Sequence, residues 1–295
     1  MDCAYDETVS EARGLVGDRD PYAALAMVRE RLEWDAALES ECHGIVHQIG
    51  HEAYAKYGFD GALSYEDDLC GSGYIHGVVE SHLDRVRDIV AALPTVCDPG
   101  SLKCFHGIGH GLMHKLDDDL QRSVSLCGTF SRPEQRITCA EGAFMEVFDS
   151  ETRFHPSRYL KEDDPLFPCR GFDPVNEGTC TFYAVRYFLR LHPRAYGPAL
   201  RWCASDASPT MVSTCIKGVG SAAMKQNVGD VPYVESICEI VPVDKRRYCI
   251  EGLVSYAIVH AAKSSAGAAV CPVLNEENRM ACERSVFMAN DAYPD

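Results

Sequence analysis

Apolar residues recur at intervals of three and four along 23–34, 43–57, 74–93, 181–191 and 252–262, the spacing that lines up side chains on one face of an α-helix. The strict alternation of a half-buried strand is nearly absent. Between the helical stretches lie runs of turn and capping residues, such as Ser131-Arg132-Pro133-Glu134, Ser205-Asp206-Ala207-Ser208-Pro209 and Pro242-Val243-Asp244, which stop one helix and start the next. The pattern predicts an all-α protein.

The cysteines show how these helices repeat. Cys70, Cys104, Cys139, Cys180, Cys215, Cys249 and Cys282 fall 33 to 41 residues apart, the length of one helical hairpin in a repeat protein. A second series, Cys127, Cys169, Cys203, Cys238 and Cys271, precedes its partners by 11 or 12 residues each time. We therefore expect tandem helical hairpins, an α/α solenoid or toroid, cross-linked by one disulfide per repeat that ties the end of one helix to the start of the next. Loops of that size are worth about 3 kcal/mol each in the chain-entropy model. Cys97 and Cys104 read as a shorter loop of the same kind, and Cys3, Cys42 and Cys70 form an odd remainder in which Cys42 pairs with Cys3 or with Cys70. The second cysteine of a unit is usually followed three residues later by glycine, at Gly73, Gly107, Gly142, Gly218 and Gly252. Glycine inside a helix costs about 1 kcal/mol against alanine, so its recurrence implies close approach of neighbouring inner helices. The expected layout is an N-terminal helical cap over 1–40, histidine-rich repeats over 41–150, an irregular insertion over 151–178 and disulfide-stapled repeats over 179–295, with 41–295 continuous.

A chain of 295 residues buries a core without needing cross-links, so its 15 cysteines speak of compartment rather than of size. They point to an oxidising space. No run approaches the roughly 20 apolar residues of a membrane span, and the opening Met1-Asp2-Cys3-Ala4-Tyr5-Asp6 lacks the regions of a signal peptide. The expectation is a secreted, periplasmic or cell-surface protein whose leader has been removed. The 44 acidic against 28 basic residues, a formal charge of −16, repel phosphate backbones and anionic lipid, which excludes nucleic acid as a partner and leaves a small molecule or peptide as substrate.

Aligned on the helix glycine, the histidines fall into register. Eight of the 11 lie between residues 43 and 114. The segments His43-Gly44-Ile45-Val46-His47-Gln48-Ile49-Gly50-His51 and His106-Gly107-Ile108-Gly109-His110-Gly111-Leu112-Met113-His114 share one pattern. The unit around Gly73 keeps the middle histidine as His76 and has Glu80 at the third place, whereas the unit around Gly142 has Glu141, Met145 and Asp149. Residues four apart stack on one helix face, and repetition of such stripes on facing helices converges on a shared volume, as in metal centres of helical bundles. His43 and His51 stand about 12 Å apart along the axis at 1.5 Å per residue, too far for one ion, so the stripe serves two ions or includes a supporting group. The alternative reading is a hydrogen-bonded histidine ladder that only stiffens the inner face.

His43, His47, His76, His106 and His110 are thus the expected ligands, with Glu80, Glu141, His51 and His114 completing a second ion or its surroundings, and Glu80 and Glu141 as candidate catalytic carboxylates. Imidazole-rich sites suit copper, iron or zinc. In ligand type this set resembles the dioxygen-binding type 3 dicopper proteins, and copper is the first expectation. The function expected is a metal-dependent oxidoreductase with a dinuclear centre; the rivals are a zinc hydrolase and a non-catalytic scaffold that binds metal or a partner. His82, His155, His192 and His260 lie off the register and read as surface or packing residues, and Asp117-Asp118-Asp119 as an acidic run starting a helix.

Overall fold

The computed structural model describes residues 2–35, 38, 41–149, 157–206, 211–261 and 263–290, the side chains of Asp2, Cys3, Asp149 and Asp206 excepted. His155, the 207–209 turn and the start of the 151–178 insertion lie outside the described residues, as do the pairing of Cys3 and the carboxylate expected at Asp149. Among the described residues there are 15 α-helices and no strands. They fall into two compact units, Met1–Glu146 and Val147–Asp295.

In the first unit, α1 (Asp2–Asp18) and α2 (Pro21–Trp34) pack on α3 (Cys42–Leu63), α3 on α4 (Leu69–Arg85), and α4 on α6 (Leu102–Lys115), with the short helices α5 (Ile89–Val96) and α7 (Leu120–Cys127) between the long ones. The last helix, α8 (Pro133–Asp149), begins in this unit. The second unit repeats the plan: α9 (Pro174–Leu191), α11 (Val212–Gln226), α13 (Val243–Ala261) and α15 (Glu276–Ala289) pack in sequence, separated along the chain by α10 (Tyr196–Asp206), α12 (Val231–Cys238) and α14 (Ser264–Val270).

Side-chain caps start many of these helices. Asp20, Asp88, Asp119, Asp173 and Asp230 each accept a backbone N–H of the first turn, a contact worth about 1 kcal/mol. The acidic run at 117–119 is accordingly a helix start: Asp119 caps α7, after Asp117 and Asp118 turn the chain at φ 55° and 58°. The 74–93 stretch, expected as one helix, divides. Val86 is extended at φ −70°, ψ 129°, and the Asp88 cap opens α5 afresh. Local capping there outweighs a continuous apolar face.

Seven disulfides link Cys42–Cys70, Cys97–Cys104, Cys127–Cys139, Cys169–Cys180, Cys203–Cys215, Cys238–Cys249 and Cys271–Cys282. Six tie the segment before a long helix to that helix, as the spacing implies. The seventh settles the choice at Cys42 in favour of Cys70 and joins the first turns of α3 and α4.

The glycines at 73, 107, 142, 218 and 252 each meet the preceding inner helix. A Cβ at Gly73 would stand 2.8 Å from the His43 carbonyl oxygen, one at Gly107 3.1 Å from His76 Cα and one at Gly218 2.5 Å from the Phe182 carbonyl oxygen. At Gly142 and Gly252 it would overlap the carbonyls of His106 and Lys217 outright. The inner helices therefore touch backbone to backbone, and apolar side chains fill the space behind them. Ile45, Ile49, Tyr74, Leu83, Ile108 and Leu112 are sealed from solvent in the first unit, and Val219, Ile250 and Leu253 in the second. Each such residue contributes about 1.5–3 kcal/mol.

Candidate metal centre

Because α3, α4 and α6 approach so closely, histidines on the facing sides of these helices are brought together. His43, His47, His76 and His110 each offer a ligand atom, and these atoms all lie within 4.8 Å of one another. His76 and His110 are 3% exposed. The rings of His47 and His110 stand 5.2 Å apart, and those of His43 and His76 likewise.

The partners of these rings decide which nitrogens are free to ligate. The carbonyl of Cys70 only accepts, so the Nδ1–H of His43 donates to it at 2.7 Å and the Nε2 lone pair faces inward. The carboxylate of Glu146 accepts from His110 Nδ1 at 2.7 Å, with the same result at Nε2. His76 Nδ1 lies 3.4 Å from His43 Nε2, outside good hydrogen-bond range and near the edge of about 3.3 Å between two ligands of a tetrahedral ion with bonds of 2.0–2.1 Å. Most telling, the buried Nε2 atoms of His47 and His110 have no hydrogen-bond partner among the described residues. Buried polar atoms are nearly always satisfied, and an imidazole whose far nitrogen is held by a carbonyl or carboxylate is the usual form of a metal ligand.

The Cys70 carbonyl reaches His43 through an uncommon backbone. Cys70, Gly71 and Ser72 run in the left-handed region at φ 54°, 69° and 62°, a conformation costing about 1–2 kcal/mol per non-glycine residue. The Cys42 bridge and the bond from Ser72 Oγ to Asp68 Oδ1 at 3.0 Å hold it. Backbone strain of this kind persists where the surroundings over-determine it.

A second group, His47, His51 and Glu80, adjoins the first. Glu80 Oε2 lies 3.5 Å from both His47 Nδ1 and His51 Nε2, and Oε1 lies 3.9 Å from His114 Nε2. His51 Nδ1 shares a hydrogen bond of 2.7 Å with Ser81 Oγ. Burial alone would raise the Glu80 carboxyl, but the His47 N–H and the charges of His51, His47 and His114 outweigh it and hold the group ionised, far below the usual range. Burial pushes His76 well below its ordinary value, helped by His106, His43, His110 and His47, and burial also lowers His51 despite the pull of Glu80. A neutral His76 in the first group and an ionised Glu80 in the second are protonation states that metal binding requires.

Of the other sequence candidates, His106 packs its ring 4.8 Å from that of His76 and 5.1 Å from that of His110 but joins neither group. The His114 side chain, 45% exposed, lies 3.9 Å from Glu80 Oε1 and joins neither group. Glu141, half-buried on α8, joins neither group. Glu146 is the residue the register missed. It falls one place after the middle position, yet it stands one turn above Gly142, which rests on the His106 carbonyl. A carboxylate four residues after a crossing glycine is the signal that marks it. Off the register, His82 stacks on Phe59 at 4.0 Å as a packing residue, and His192 and His260 lie against Phe188 and Tyr256.

Comparison with protein-family models, with curated proteins and with solved structures found no match. No helix among the described residues is long and apolar enough to cross a membrane.

Proposed function

We propose that the protein is an exported metalloprotein in which His43, His47, His76 and His110 ligate a transition-metal ion, copper ahead of iron or zinc, and that it acts as a metal-dependent oxidoreductase. The observation that carries the reading is the pair of buried, unpartnered Nε2 atoms on His47 and His110, two members of a group of four histidines whose ligand atoms lie within 4.8 Å of one another. Four imidazoles without a thiolate suit copper well in an oxidising space, and seven disulfides suggest such a space. Hydrolytic zinc keeps three protein ligands and a water. A set of four imidazoles fills a tetrahedral ion and so favours electron transfer or oxidation over water activation.

Elemental analysis of protein purified without a histidine tag, together with its visible and electron paramagnetic resonance spectra, tests the proposal. Copper at one or more per chain with a cupric spectrum is the expected result. Colourless zinc would favour a hydrolase with Glu80 as base, and a chain that neither carries metal nor takes it up would leave only a helical scaffold.

A further inference from the structure

We infer that His47 is shared between two ions: its Nε2 serves the four-imidazole group while its Nδ1, with His51 Nε2 and Glu80, holds a second ion on the more exposed side. This rests on the four-imidazole group binding metal. Two carboxylates treat their histidines differently. Glu146 orients His110 through a bond of 2.7 Å. Glu80 faces three imidazoles at 3.5, 3.5 and 3.9 Å, with a long hydrogen bond from His47 and none as short as that of Glu146. Separations of 3.5 Å are longer than a usual hydrogen bond and approach the edge of about 3.3 Å between ligands around one small cation. Ser81 fixes His51 Nδ1, so that His51 Nε2 is the atom turned to Glu80.

The two groups overlap in His47 alone, and its two ring nitrogens have different surroundings: Nδ1 lies 3.5 Å from Glu80, and Nε2 is buried without a hydrogen-bond partner. The stripe on α3 explains this. His43, His47 and His51 climb two helical turns, and a ring midway along reaches both levels. Binding of the second ion displaces the remaining ring proton of His47 to water, leaving an imidazolate that donates an electron pair at each nitrogen. The ions then stand about 6 Å apart, with metal–nitrogen bonds of about 2 Å. The side chains of His51 and His114 are 27% and 45% exposed, so the second ion is the one nearer to solvent.

The test is loading of the full chain with copper(II), followed by removal of loose ions, metal counting and electron paramagnetic resonance. Two coppers per wild-type chain are expected, with signal intensity well below that of two isolated ions because the ring couples their spins. His51→Ala and Glu80→Gln should each bind one copper and show the full single-ion spectrum; circular dichroism confirms their folding, and the partly exposed His51 keeps the test open if Glu80→Gln misfolds. Two coppers with full, uncoupled intensity would overturn the shared ring. One copper in the wild type, unchanged in both variants, would overturn the second ion and leave the four-imidazole site standing. One copper that Glu80→Gln merely weakens would reduce Glu80 to a positioning residue for His47 and overturn the inference. No copper in the wild type, with His110→Ala indistinguishable from it, would instead sink the reading beneath.

Discussion

The glycine at 142 rests on the carbonyl of His106 in the first unit, and the glycine at 252 rests on that of Lys217 in the second. Three residues after the register glycine, however, α3, α4 and α6 carry His47, His76 and His110, whereas α11 and α13 carry Ser221 and Ser255. One scaffold thus holds two fillings. The second unit packs its inner helices as closely as the first, with Ser221 buried where the first unit places imidazole. Glycines and disulfides are therefore what the hairpins need, and the histidines are not. That argues against a ladder whose only task is to stiffen the inner face, because the same face is stiff without it.

Breaking the bridges separates architecture from chemistry. Cys42→Ser with Cys70→Ser opens a loop of sequence separation 28, and Cys238→Ser with Cys249→Ser one of 11. Chain entropy predicts losses of about 3.5 and about 3 kcal/mol, measurable by denaturant unfolding. Only the first pair should also weaken copper binding, because the Cys70 carbonyl that orients His43 is then no longer pinned. Equal copper affinity in both would detach the strained turn from the site.

The glycines should behave alike in both units. Gly142→Ala and Gly252→Ala each drive a methyl into a neighbouring carbonyl, and overpacking against backbone is expected to cost about 3 kcal/mol in either. A neutral substitution at one of them would mean that its helix pair has slack that the other lacks. Histidine changes should split the units instead. Glu146→Gln removes the partner of His110 Nδ1 and should lower copper affinity about 10–100-fold, with His110→Ala beyond that. Ser221→Ala, at the corresponding place in the second unit, should leave affinity untouched in a competition titration.

The parts of this arrangement that repeat were legible in the sequence. Gaps of 11 or 12 residues identify five bridges, and alignment on glycine assembles His47, His76 and His110. What stayed open or hidden is what happens once. The Cys42–Cys70 bridge has a span of 28 shared with no other, and the left-handed run at 70–72 has no composition signal beyond Gly71. Glu146 was hidden because the register counts along one helix, whereas its contact with His110 depends on where two helices cross. His106 sits at a ligand position of the pattern but at the edge of the cluster, since equivalence in sequence fixes the face of a helix and not its depth.

Acid should discriminate between the units more gently. His76 is surrounded by His43 and His47 from α3 and by His106 and His110 from α6, and burial first, then these neighbours, keep its ring neutral well below the ordinary 6.5. An unfolded chain takes up that proton near 6.5 and the folded chain does not, so stability falls as the pH drops below 6.5. His51 is displaced in the same direction. Glu80, held ionised below its ordinary 4.5, adds a loss of the same sign only when the pH falls beneath that value. Each group contributes at most about 1.4 kcal/mol per pH unit. Hydrogen exchange of the metal-free chain at about pH 7.5 and pH 5.5, corrected for intrinsic rates and read helix by helix, should therefore show protection falling in α3, α4 and α6 while α11 and α13 hold. An equal fall in both units would mean that the acid response comes from elsewhere, and no fall in the first would mean that its imidazoles accept protons where they stand.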